Sequence, residues 1–122
     1  MINAAIVGLG WWGRTLVESV QGTSDVIQFQ SGVVRTTSPE LKSFSELHKL
    51  KLVHRVDDVL GDPKIDAIVL ATPHSFHSQQ VIAAATAGKH VFCEKPLALH
   101  KSEAEAAVAA VRAARVTLGL GY

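Results

Sequence analysis

The sequence has a single cysteine, Cys93, which excludes an internal disulfide and any cysteine-rich metal centre. It also lacks an excess of either charge. Twelve Lys and Arg stand against eleven Asp and Glu, a net charge of +1, so there is neither the basic stripe of a nucleic-acid binder nor an acidic tail. Apolar runs fall far short of the roughly 20 residues a membrane helix needs. No basic leader with a small-residue cleavage site precedes the first strand-like segment, so a signal peptide is not expected and a cytoplasmic location is. Aromatics are only 6% of the chain. What remains is a globular composition, 48% hydrophobic and 19% charged over 122 residues, the size of one domain with one core.

Short β-rich runs alternate with helix-like stretches, the pattern of a doubly wound, mostly parallel α/β sheet with helices on both faces. Strands are predicted at 3–7, 26–34, 52–56, 66–71, 90–93 and 116–120, and helices at 13–20, 39–50, 76–87 and 102–115, with a short turn or helix at 57–60. The run Asp66-Ala67-Ile68-Val69-Leu70-Ala71 suits a central strand buried on both faces. Ser38-Pro39-Glu40 serves as cap, first helical position and first-turn acid, Gly88 ends the fourth helical stretch, and Ser102-x-x-Glu105 matches a capping box.

The first strand runs into Gly8-Leu9-Gly10-Trp11-Trp12-Gly13, a G-x-G-x-x-G turn between a strand and a helix. The first glycine permits the tight turn, the second lets a pyrophosphate approach the backbone, and the third lets helix and strand pack closely. The phosphates would meet unpaired N–H groups at the positive end of the helix dipole. Of the two aromatics, Trp12 is expected to pack against its surroundings and Trp11 to face the cleft.

At the end of the second strand an acid would bond the ribose 2′-hydroxyl of NAD, whereas an Arg accommodates the 2′-phosphate of NADP. Here the strand ends in Arg35-Thr36-Thr37-Ser38, with Glu40 already inside the next helix. Arg35 offers a planar fork, and Thr36 and Ser38 offer hydroxyls near a helix N-terminus. The expected cofactor is therefore NADP in preference to NAD. The six histidines, at 48, 54, 74, 77, 90 and 100, show no third-ligand spacing around His74 and His77, so no metal is expected. Cys93 is expected to be a buried thiol.

Two later blocks emerge at the carboxyl edge of the sheet, where open α/β sheets bind ligands: Ala71-Thr72-Pro73-His74-x-x-His77, and Ala87-Gly88-Lys89-His90-Val91-Phe92-Cys93-Glu94-Lys95-Pro96. Taken alone, Glu94-Lys95 reads as a surface ion pair. With Gly8-x-Gly10-x-x-Gly13 and Asp62-Pro63-x-x-Asp66-Ala67-Ile68, however, the blocks closely resemble the Gfo/Idh/MocA oxidoreductase family along the whole chain. The resemblance implies a Rossmann-type NAD(P)-binding domain over residues 1–122, the N-terminal part of a longer enzyme. A larger α+β domain would follow, absent from this chain, shaping a sugar or polyol pocket and mediating homo-oligomerisation.

By the same resemblance Lys95 lies near the nicotinamide and polarises the reacting hydroxyl, as the catalytic residue of this chain. Glu94, Pro96, Ala71, Thr72 and Pro73 line the cofactor together with Leu9 and the glycines, and His77 belongs to that loop region. His74 stands where the family often has Asn. The family's proton-transferring His or Tyr lies beyond Tyr122. The expected activity is hydride transfer between a secondary alcohol and nicotinamide, with the 122 residues alone inactive. Relatives that use tightly held NAD for transient oxidation in glycoside cleavage, and a non-catalytic nucleotide sensor, remain alternatives.

Overall fold

A computed structural model describes residues 1–121. Six strands, β1 (Ile2–Val7), β2 (Ile27–Val33), β3 (Lys51–Val53), β4 (Ala67–Leu70), β5 (His90–Glu94) and β6 (Leu118–Gly121), form one sheet in the order β3-β2-β1-β4-β5-β6. Every pairing is parallel. The order reverses direction at β1, so the ends of β1 and β4 flank the crevice such sheets present at their carboxyl edge.

Side-chain alternation along β1 builds both halves of the core. Ala4 and Ile6 point to one face and pack with Val17 and Leu16 of α1 (Trp11–Val20) and Leu41 and Phe44 of α2 (Pro39–His48). Ala5 and Val7 point to the other, towards Val59 of α3 (Val56–Leu60), Val81 and Ala85 of α4 (His77–Thr86), and Ala107 and Val111 of α5 (Lys101–Ala114). All four β1 residues are at most 3% exposed, each apolar side chain adding on the order of 1–3 kcal/mol by burial.

The helix ends follow local chemistry. The Ser38 hydroxyl accepts from Leu41 N at 3.1 Å, with Pro39 at the first position and Glu40 in the first turn. After α4, Gly88 takes φ +78° while its N–H reaches Ala85 O and that of Lys89 reaches Ala84 O, the paired closure that favours glycine at this place.

Several boundaries differ from the sequence reading. α1 begins at Trp11, two residues early, and β3 spans Lys51–Val53 because Arg55 already caps α3. Asp66 falls outside β4: its carboxylate accepts from Asn3 N at 2.9 Å. A short 3₁₀ turn, His74–Phe76, precedes α4. Ser102 is not a cap. α5 starts at Lys101 after His100, without a side-chain cap bond, and Glu105 pairs with Lys101 at 3.7 Å rather than reaching back to the backbone. A serine and a glutamate three apart also fit the first turn of a helix that starts one residue earlier.

Candidate functional site

Between β1 and α1 the chain folds back on itself. Gly8 adopts φ +97°, and a Cβ there would lie 2.6 Å from Ala71 O; one on Gly13 would lie 2.1 Å from Gly8 O. Neither position admits a side chain. Gly10 has nothing within 4 Å of where its Cβ would stand, so its backbone is open to approach. Gly10 caps α1 without a side-chain bond, and the first turn has no acid. The N–H groups there remain unclaimed at the positive end of the helix. This cradle fits a pyrophosphate. Leu9 points the opposite way: it is 6% exposed, and its Cδ1 would sit 2.8 Å from a Cβ on Gly32 of β2.

A cleft of about 550 Å³ opens beside the cradle. Of the residues expected from sequence, Gly8, Gly10, Arg35, Ala71, Thr72 and Pro73 line it. Its remaining wall was not foreseen. Val34, His54 and Val56 close the β2–β3 side, and Phe76 and Gln80 the α4 side. His54 Nδ1 lies 3.1 Å from Val34 O; since a carbonyl only accepts, that nitrogen carries the proton. The Thr72 hydroxyl donates to Gln80, fixing the loop after β4. The signal for His54 was weak because β3 is three residues long and half-buried.

The other expected residues lie elsewhere. Trp11 and Trp12 are 74% and 42% exposed, with tilted rings 5.7 Å apart. Trp11 stands over a groove between α1 and α2 with Arg14, Glu18 and Phe44 instead of facing the cleft, and Trp12, rather more than half covered, lies beside the Trp11 ring. The cause is helical: Gly13 and Val17, four apart, take the inward face of α1, which turns positions 11 and 12 outward. Thr36 is exposed, and Ser38 is engaged as the α2 cap. Glu40 is held by Arg14, Nη1 to Oε1 at 2.9 Å. Arg35 is exposed and has no ion pair among the described residues.

At the neighbouring end of β5, Glu94 and Lys95 do not pair with each other. The Glu94 carboxylate lies over Gly121 of β6, 2.7 Å from where a Cβ there would be. Lys95 is exposed, one residue past the strand, and free of ion pairs among the described residues. The Lys95–Pro96 peptide is cis. His74 is exposed on the 3₁₀ turn. His77, expected in the cofactor-lining loop, is 0% exposed beneath it: Nδ1 is 2.8 Å from Pro96 O and Nε2 2.9 Å from Thr72 O. The ring joins the two loops from below and has no atom left for a ligand. Cys93 is fully buried, and burial, then the adjacent Glu94 carboxylate, push its thiol up to about 11. At neutral pH it is a packed thiol, not a nucleophile.

Among the described residues no group of three or more His, Cys, Asp or Glu is placed to hold a metal, and no helix is long and apolar enough to cross a membrane. An all-parallel sheet with this order, a glycine cradle and a cleft at its carboxyl edge define a dinucleotide-binding domain. The chain belongs to the GFO_IDH_MocA family, the oxidoreductase family with an NAD-binding Rossmann fold, which it matches over residues 2–122. It is 43% identical over 130 residues to the scyllo-inositol 2-dehydrogenase (NAD(+)) of Bacillus subtilis, covering 99% of this chain and 35% of that protein. With the scyllo-inositol 2-dehydrogenase (NADP(+)) of the same organism the identity is 32%, over 97% of this chain and 36% of the relative. The crystal structure of apo scyllo-inositol dehydrogenase from Lactobacillus casei superposes with a TM-score of 0.88 at 28% identity, covering 98% and 36% of the two chains. The chain thus spans about a third of the length of these relatives.

Proposed function

We propose that this chain is the cofactor-binding part of an NADP-preferring oxidoreductase acting on a secondary alcohol of a sugar or polyol. The observation that carries the chemistry is Lys95, a solvent-facing ammonium without an ion-pair partner among the described residues, just past β5 at the edge where the cradle opens. The named activities of the inositol dehydrogenase relatives support the substrate class. Arg35 supports NADP: it lines the cleft, and the only nearby helix-start acid, Glu40, is neutralised by Arg14. A guanidinium holds a phosphate bidentately where a carboxylate would repel it.

In this reading Gly8, Gly10 and the first N–H groups of α1 hold the pyrophosphate, and Arg35, with Thr36 and Ser38, the 2′-phosphate. Thr72, Pro73 and His74 flank the middle of the cofactor, and Glu94, Lys95 and Pro96 its nicotinamide end. When bound, the cofactor supplies the nicotinamide carbon that accepts or returns a hydride. Lys95 Nζ donates a hydrogen bond to the substrate oxygen, favouring the alkoxide character that develops as the carbon is oxidised. Moving that proton away is assigned to a group outside residues 1–122.

The test is oxidation of myo-inositol and scyllo-inositol by the full-length protein with NADP+ and with NAD+. NADP+ is expected to give the higher kcat/KM, and Arg35→Asp to shift the NADP+/NAD+ ratio by tenfold or more towards NAD+. An unmoved ratio removes Arg35 as the discriminator. Cofactor that co-purifies and is never released, with no net turnover, points to transient redox chemistry instead.

A further inference from the structure

His77 opens α4 beneath the cleft and touches neither the cradle nor the open surface. Its ring is flanked by two carbonyl oxygens from different loops, Pro96 O at 2.8 Å from Nδ1 and Thr72 O at 2.9 Å from Nε2. Both distances are those of well-formed hydrogen bonds. A carbonyl oxygen only accepts, whereas a neutral imidazole has one N–H and one lone pair. The ring therefore donates to at least one of the two carbonyls and is packed against the other. With no exposed surface, no bulk water competes for either nitrogen.

The two carbonyls belong to the segments on which the proposed chemistry depends. Thr72 follows β4 and lines the cleft; Pro96 is joined directly to Lys95. Among the described residues the surroundings supply no second tie of this kind. His74 lies beside the ring, centroids 5.7 Å apart, and Ser78, next on α4, donates to Glu103 of α5 at 3.3 Å. Neither bonds to the Lys95–Pro96 segment.

We propose that His77 is the positioning residue for Lys95: wedged between the Thr72 and Pro96 carbonyls, its ring ties the Lys95–Pro96 segment to the loop after β4 and so sets where the ammonium stands relative to the cleft. The proposal rests on the role given to Lys95 above. It acts on a backbone carbonyl next to the catalytic side chain, so its loss alters turnover more than cofactor binding, because the cradle and Arg35 stand on other loops.

The experiment combines ring spectroscopy with a kinetic cycle on the full-length protein. In long-range proton–nitrogen spectra of histidine-labelled protein, at least one His77 nitrogen is expected to carry a slowly exchanging proton; rapid exchange at both nitrogens overturns the bridge. His77→Gln, which reaches one carbonyl only, is expected to lower kcat for scyllo-inositol at least tenfold while Kd for NADP+ stays within twofold. Combined with Lys95→Ala it should cost nothing further beyond Lys95→Ala alone. Additive losses, or weakened NADP+ binding with kcat kept, overturn the positioning role. If His77→Gln is not recovered folded, the ring spectrum of the unsubstituted protein decides. If Lys95→Ala keeps full activity, or no inositol is oxidised at all, the Lys95 reading fails and this proposal with it. Rapid exchange at both His77 nitrogens in a protein that Lys95→Ala inactivates sinks the bridge alone.

Discussion

Two lysines bracket β5, and they have opposite fates. Lys89, one residue before the strand, is 7% exposed and donates to Asp62 O at 2.7 Å and Ile65 O at 2.6 Å. Lys95, one residue after it, is exposed and without an ion pair among the described residues. The amino edge of the sheet is closed by the protein's own groups, Lys89 on the turn before β4 and Asp66 on Asn3 N. The carboxyl edge keeps its donors unspent: the bare start of α1, Arg35 and Lys95. Backbone oxygens come to meet Lys89, which makes it structural; none among the described residues meets Lys95, which leaves it free for the role proposed above.

The contrast breaks most sharply through Lys95→Ala. Inositol oxidation should fall by about 10²–10⁴-fold, the usual worth of a positioned proton-donating group, while urea unfolding shifts by no more than about 0.5 kcal/mol, as for an exposed side chain. Lys89→Met should do the reverse. One buried and one half-buried carbonyl lose their donor, so stability should drop by about 1–3 kcal/mol with NADP+ affinity of the folded protein kept; weakened binding at unchanged stability would make Lys89 a functional lysine after all. The smallest effect sharpens the account of the edge rather than of the lysines. Ser38→Ala removes the α2 cap and should cost about 1 kcal/mol, visible in the same unfolding curves. A larger loss of NADP+ affinity than of NAD+ affinity would show that its hydroxyl also serves the 2′-phosphate.

The sequence separated these lysines only in part. Lys95 was legible because it sits in a block that resembles a family. Lys89 lies in the same block, yet its acceptors are 24 and 27 residues earlier, on a turn no local pattern connects to it. The same limit hid the burial of His77, whose partner Pro96 is 19 residues away, and the place of His54, which enters the cleft one residue past a three-residue strand. What local chemistry dictates was read correctly: the strand before the glycine turn, the Ser38 cap and the glycine after α4. Where two local readings compete, as at Ser102, the i,i+4 pairing of Lys101 with Glu105 and the packing of α5 on α4 prevailed. The outward turn of Trp11 and Trp12 needed the inner face of α1 to be known first.

Leu9 and Gly32 carry a last consequence. The turn's one large inward side chain is seated where β2 has no Cβ, so the turn is fastened to the neighbouring strand before any ligand arrives. A loop ordered in advance loses little conformational freedom on binding, and the affinity its amides offer is delivered nearly undiminished. Residue 9 and residue 32 are therefore one unit in design terms. Enlarging the glycine displaces the leucine and loosens the cradle from behind, without altering a single group that faces the phosphates.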